Sequence, residues 1–194
     1  MTRYHISQVF HHRRADRPGD IHADGRPLLS WRVALLQRLE VPEAPGLYPQ
    51  FRLNEPWDSP HNLTLIPKIP QVYQSVGDPA GWTAMLGVAG PGTMMPAGGG
   101  MRMSTVQDGV DLTVSLVEAD AAVEWTRPSD YLVDWTQPRR GLGQRRKGQI
   151  LVATARGTTH ALKANVPDSA LAQLFSVDGA ALGQTGTLDP TTLW

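Results

Sequence analysis

The 194-residue chain contains no cysteine. Without thiols it has no disulfide, no thiolate metal ligand and no cysteine nucleophile. It also lacks an excess of charge, because 18 lysine and arginine residues balance 18 aspartate and glutamate residues. A dedicated nucleic-acid-binding protein normally has a basic excess, so we expect no nucleic-acid partner.

Long apolar runs are missing as well. None approaches the roughly 20 residues that a membrane-spanning helix needs, and none has the length of a signal peptide. We therefore expect a soluble chain with no membrane span and no export signal, and the sequence leaves its localisation open.

The length suits one domain of ordinary size. Residues 1–27 are polar and rich in histidine, which predicts a partly ordered arm in front of a globular domain over 28–182. Residues 183–194 form a turn-rich tail. The 19 glycines and 16 prolines are scattered between apolar runs, which predicts a loop-rich globule.

Three segments have the features of short helices. Ser30 is a typical N-cap before apolar residues spaced by four, and it predicts a helix over 31–40. Ser59, followed by a proline, predicts a second helix over 61–66. A third is predicted over 170–176, with its leucines and phenylalanine facing inward.

Four further segments have the features of strands. A strand is predicted over 82–88, and apolar residues alternate with polar ones over 110–117, which predicts a half-buried strand. Residues 149–155 and 158–164 are joined by only two residues, the second a glycine, as in a hairpin. Together these elements predict an α+β fold with an antiparallel sheet and a few short helices.

The most distinctive segment runs from Asn54 to Asn62 and combines tryptophan, two prolines, a helix start and several polar side chains. Other short motifs flank it in a fixed order. The motifs in chain order are Asp24-Gly25-Arg26-Pro27-Leu28-Leu29-Ser30-Trp31-Arg32-Val33, Leu47-Tyr48 with Phe51, Glu55 to Asn62, Val72-Tyr73 with Asp78-Pro79, Gly90-Pro91-Gly92-Thr93, Asp108-Gly109 with Thr113 and Glu118, and Ala122-Val123-Glu124-Trp125-Thr126 with Pro128.

This series, over roughly residues 24–180, resembles a large bacterial family of unknown function that is abundant in planctomycetes. Its members usually have a prepilin-type helix in front of the domain, and some are labelled solute-binding. The resemblance implies a pilin-like head, a cell-surface setting for relatives, and pilus-like or other surface subunits as partners. It implies a non-enzymatic structural or interaction domain.

The chain also departs from the family pattern. The prepilin helix is missing, and Ser75 stands where many members have cysteine. Arg146 and Arg156 stand where the family usually has a histidine and an aspartate that are thought to act in sorting. These departures predict a truncated or divergent member.

Catalytic and metal chemistry find little support in the sequence. Asp58, Ser59 and His61 are the residue types of a catalytic triad, but they lie within four positions, whereas triad members normally come from separate elements. A helix cap is the better interpretation. The four histidines His5, His11, His12 and His22 have no carboxylate or cysteine at a metal-ligand spacing, so we predict no metal site and no cofactor.

Two groups of residues could still form a ligand or interaction surface. Trp57 and Trp125 lie beside prolines and are either loop anchors or a platform for a sugar or peptide. A basic segment is either a solvated loop or a surface for an anionic partner. The candidate surface is Trp57, Asp58, His61, Trp125, Arg139, Arg140, Arg145 and Arg146. It supports an alternative function, a soluble binding module for a small ligand, sugar or peptide.

Overall fold

The computed structural model describes residues 20–96, residues 103–179 and Leu193. Their strands form two sheets, a hairpin and a five-stranded sheet with the order β5-β3-β4-β6-β7. The strands are β1 (Ile21–Ala23), β2 (Arg26–Leu29), β3 (Trp82–Ala89), β4 (Val114–Glu124), β5 (Tyr131–Leu132), β6 (Gln149–Thr154) and β7 (Thr159–Lys163). The α+β prediction is confirmed. The sheet is mixed, however, because the short edge strand β5 runs parallel to β3.

The four α-helices of the described residues are short: α1 (Trp31–Leu35), α2 (Ala44–Leu47), α3 (Pro60–Leu63) and α4 (Asp168–Phe175). Ser30 and Ser59 cap α1 and α3, as predicted. The predicted helix over 31–40 is wrong at its end, since α1 gives way to a 3₁₀ turn over Leu36–Arg38 and an extended Leu39. The helix predicted over 61–66 likewise ends at Leu63, and a 3₁₀ turn over Ile66–Lys68 follows because Pro67 supplies no N–H.

The strand predicted over 110–117 is only half right. Residues 110–112 form a turn, and β4 begins at Val114 and is buried on both faces as far as Ala119. The reason is a layer on each side of the sheet. One core cluster joins Leu116 and Leu151 to the helices and loops before β3, and the other joins Val117 and Ile150 to α4. Strands covered on both faces lose the alternation of apolar and polar residues.

The predicted hairpin over 149–164 is confirmed as β6 and β7. A second hairpin, β1–β2, begins within the segment 1–27 predicted as a partly ordered arm and ends at Leu29, in the predicted globular domain. Asp24 and Gly25 turn it with φ angles of 50° and 74°, both in the left-handed region that a tight hairpin turn requires. Residues 1–19 of that arm and the predicted tail, apart from the buried Leu193, lie outside the described residues.

A chain of aromatic rings fills the first core cluster. Tyr73 meets Trp31 edge-to-face at 6.4 Å between ring centroids and stacks on Trp125 at 6.0 Å. Phe51 packs edge-on against the other side of Trp125, at 5.7 Å. The indole N–H of Trp125 donates to the carbonyl oxygen of Ile66 at 2.9 Å. These rings fix α1 and the loops before β3 against the sheet. Within the described residues, no helix has the length and apolar character needed to cross a membrane.

Replacement of Trp125 by alanine should lower the free energy of unfolding by about 3–5 kcal/mol, because the ring is fully buried. Trp57→Ala should cost clearly less, because Trp57 is only half-buried. Urea unfolding of both variants and the unmodified protein measures the difference. Equal losses for the two tryptophans would contradict this assignment of core and surface.

Candidate functional site

A cleft of about 450 Å³ lies beside the β1–β2 hairpin and the edge strand β5. Its polar side chains are Asp20, His22 and Asp130. Its apolar wall includes Pro27, Met95, Pro128 and Leu132. Leu132 is 71% exposed, so an apolar rim faces solvent at the mouth. The volume falls in the range of small-molecule sites, which are mostly apolar with a few convergent polar groups.

Asp130 is fixed by three residues from two other parts of the chain, α1 and β3. Its Oδ1 accepts hydrogen bonds from Trp31 Nε1 at 3.0 Å, Arg32 Nη2 at 2.9 Å and the backbone N–H of Gly87 at 2.8 Å. Its Oδ2 accepts only a second, shared contact from Trp31 Nε1, at 3.1 Å. The side chain is 10% exposed. A Cβ at position 87 would clash with the Met95 sulfur and lie 3.2 Å from Asp130 Oδ1, so this close approach requires glycine.

Arg32 lies behind Asp130 and is fully buried. Its Nε and Nη2 both donate to the carbonyl oxygen of Met85, at 3.1 and 2.8 Å. Its Nη1 donates to Ser30 Oγ at 2.7 Å, the same oxygen that caps α1. The guanidinium also lies 4.5 Å from the centroid of the Trp31 ring. A buried charge needs this density of partners to offset its loss of hydration.

Asp20 is the second carboxylate of the cleft. Its Oδ1 accepts the backbone N–H of Trp31 at 2.9 Å, so it supports the first turn of α1. Burial raises its pKa, the Trp31 N–H lowers it, and the charge of Asp130 raises it further. Arg32 and His22 lower it by weaker charge interactions. No cationic side chain of the described residues forms an ion pair with Asp20.

The two tryptophans of the sequence-derived surface have different positions. Trp125 is 0% exposed and belongs to the aromatic core, so the prediction that it lines a surface is wrong. Trp57 is half-buried, and the Arg127 guanidinium lies 5.4 Å from its ring centroid. The backbone N–H of Trp57 donates to the Leu28 carbonyl oxygen at 2.8 Å, which ties the motif segment to β2.

The remaining polar residues of the motif hold a loop closed. Ser59 Oγ accepts the backbone N–H of Asn62 at 3.2 Å, and His61 Nε2 lies 2.8 Å from the Gln50 carbonyl oxygen. The hydroxyl of Ser59 also lowers the pKa of Glu55 by hydrogen bonding. Asp58 is exposed. The interpretation of Ser59 as a helix cap is confirmed. Ser59 and His61 form hydrogen bonds with different backbone groups, the Asn62 N–H and the Gln50 carbonyl oxygen.

Asn62 is the centre of that loop. It is fully buried, and its Oδ1 accepts the backbone N–H of Arg52 at 3.1 Å. Its Nδ2 contacts the carbonyl oxygens of Arg52, Glu55 and Pro56 at 3.0–3.2 Å. One amide side chain therefore satisfies four backbone groups of the segment in front of α3.

The basic segment is largely neutralised. Arg139 pairs with Asp168 at 2.7 Å, Arg145 pairs with Asp78 at 2.7 Å, and Arg146 pairs with Glu118. Arg140 is exposed and forms no ion pair within the described part of the chain. These pairs favour the interpretation as a solvated loop, because three of the four arginines already have carboxylate partners.

Comparison of the chain with protein-family models, with curated proteins and with solved structures finds no match. The resemblance to the planctomycete family therefore stays a prediction. The cleft carboxylates Asp20 and Asp130, and Arg32 behind them, were not among the sequence-derived candidates, and His22 was considered only as a metal ligand.

Asp130→Asn should lower the free energy of unfolding by about 3–5 kcal/mol, because it leaves the buried Arg32 without its counter-charge. The double variant Arg32→Met/Asp130→Asn should lose less than Asp130→Asn alone, since it removes the uncompensated charge. Denaturant unfolding of the complete mutant cycle measures this coupling.

A matched control is Arg52→Ala, which breaks the exposed Arg52–Glu55 pair at 3.0 Å. Its cost should stay below about 1 kcal/mol. If Arg32→Met/Asp130→Asn loses as much stability as its two single variants lose together, the coupling of Arg32 to Asp130 is contradicted.

Asp20→Asn should raise the free energy of unfolding near pH 7 relative to the unmodified protein. Asparagine can still accept the Trp31 N–H, and it removes a charge that burial disfavours. Because the pKa of Asp20 is raised in the folded state, the aspartate contributes stability at low pH that is lost as pH rises through this pKa.

The stability difference between the Asp20→Asn variant and the unmodified protein should therefore grow from about pH 4 to pH 7. Urea unfolding at several pH values measures it. A difference that is independent of pH, or that shrinks as pH rises, would contradict the raised pKa.

Proposed function

We propose that this chain is a non-enzymatic structural or interaction domain of the pilin-like, cell-surface kind. One observation carries the proposal: the polar residues of the most distinctive segment are engaged in holding that segment in one shape. Ser59 caps α3, His61 holds the Gln50 carbonyl, and Asn62 satisfies four backbone groups. A loop that is held in one shape suits a domain whose role is to present a fixed surface to other proteins.

The cleft gives little support to an enzyme. Acyl or phosphoryl transfer needs a nucleophile, a base and a stabilising donor that converge on one point. No hydroxyl or amine side chain is present among the described residues that line the cleft. Oδ1 of Asp130 already accepts three N–H groups, which leaves it poorly placed to take a proton from a substrate.

A binding module for a small ligand, sugar or peptide is the second candidate. The cleft of about 450 Å³ favours it, because its apolar wall and two carboxylates have the composition of a ligand site. The tryptophan platform gives it no support, since Trp125 is buried and Trp57 has Arg127 over its ring.

The surface-domain proposal is tested by fractionation and amine-reactive cross-linking of the native cells. We expect the protein in the surface or membrane fraction, with cross-linked products larger than its 21.2 kDa chain. Cells that are solubilised by detergent before cross-linking are the control, because chance contacts survive this treatment and an assembly does not. Recovery as an uncross-linked cytosolic protein would overturn the proposal.

A further inference from the structure

The cleft has a charge imbalance that the fold itself does not correct. Asp20 and Asp130 are two carboxylates on its lining, and Arg32 is the cation that pairs with Asp130. Arg32 is fully buried and already donates to Met85, Ser30 and Asp130. Within the described residues, the charge of Asp20 is therefore left without a cationic partner.

The acceptor capacity of the two carboxylates is also incompletely used. A carboxylate has about four lone-pair sites for hydrogen bonds. Asp20 Oδ1 accepts the Trp31 N–H, and Asp130 Oδ2 accepts only the shared contact from the Trp31 indole. A ligand with several N–H donors and one positive charge would supply both the missing counter-charge and the missing hydrogen bonds.

Apart from the imidazole of His22 and the backbone at Gly25, the rest of the lining is apolar. Pro27, Met95, Pro128 and Leu132 contribute aliphatic surface, and Leu132 extends it to the mouth. A short alkyl chain fits such a wall because its burial is favourable by about 25 cal/mol per Å². An anion would be repelled by Asp20. The described residues also hold no group of three histidine, aspartate or glutamate side chains arranged for a metal ion.

We propose that the cleft binds the ammonium group of a small aliphatic amine, with the ammonium at Asp20 and Asp130 and the alkyl chain against the wall of prolines and Leu132. An ammonium group brings one charge and three donors on an apolar stem. This inference rests on the second candidate function, a binding module.

Binding should depend on pH through the groups that face Asp20. Burial and Asp130 raise the pKa of Asp20, whereas Arg32 and His22 lower it. An ammonium ion prefers the ionised carboxylate, so its binding should weaken as pH falls through the pKa of Asp20. His22 is the other titratable side chain of the cleft lining besides the two carboxylates.

The test uses n-butylammonium as the probe, with 1-butanol and butyrate as neutral and anionic analogues of the same chain length. Titrations are followed by calorimetry and by amide chemical shifts of the whole chain. We expect n-butylammonium to bind with shifts at Ala89 and Leu132, and the two analogues to bind far more weakly.

Two variants make the test specific. Asp20→Asn keeps the acceptor for Trp31. It should weaken the binding of n-butylammonium about tenfold or more, as expected for the loss of a charge-assisted hydrogen bond. Glu40→Gln removes an exposed carboxylate outside the cleft lining and should leave the affinity unchanged. Equal losses in both variants would mean non-specific ion pairing and would overturn the proposal.

The outcomes also separate this inference from the function on which it rests. If 1-butanol binds as well as n-butylammonium, the cleft is a ligand site but the inferred cation is wrong. If none of the three probes binds, the inference is overturned, and the cleft no longer supports the binding module. A second amine, N-acetyl-lysine methylamide, separates a free amine from a lysine side chain. If it binds more tightly than n-butylammonium, the ammonium is assigned to a lysine of a partner protein.

Discussion

The buried ion pair of Arg32 and Asp130 joins parts of the chain that are 98 residues apart. It links α1 to β3 through the Met85 carbonyl and to the approach of β5 through Asp130 itself. Removing two charges from water costs several kcal/mol for each ion, and only dense hydrogen bonding offsets that cost. In this structure its partners come from α1, β3 and the approach of β5, so the pair fastens the N-terminal layer to the sheet.

Trp31 transmits this constraint to the cleft. Its backbone N–H binds Asp20 and its indole N–H binds Asp130, so one residue positions both carboxylates. The ring of the same residue packs against Tyr73 in the aromatic core. The cleft is therefore formed where the core, the first helix and the hairpin meet, and its geometry depends on the ion pair behind it.

Local features of the fold could be predicted from the sequence, and long-range features could not. The caps Ser30 and Ser59 and the β6–β7 hairpin depend on a few neighbouring residues. The parallel strand β5 depends on its pairing with β3, where Tyr131 lies opposite Val88, and Arg32 pairs with Asp130 across 98 residues. Trp57 and Trp125 both lie beside prolines, yet one is half-buried and the other is core, because their burial is set by distant layers.

The charge of Asp20 is the part of this arrangement that the fold needs least. Trp31 needs only an oxygen acceptor at position 20, and asparagine would supply one without a charge. The ion pair of Arg32 with Asp130 is complete without Asp20. Burial raises the pKa of Asp20, and no cationic side chain of the described residues forms an ion pair with it, so we expect its ionised form to lower stability at neutral pH. A loss of stability caused by a charged residue at a cleft is typical of a residue whose ionic partner is a ligand.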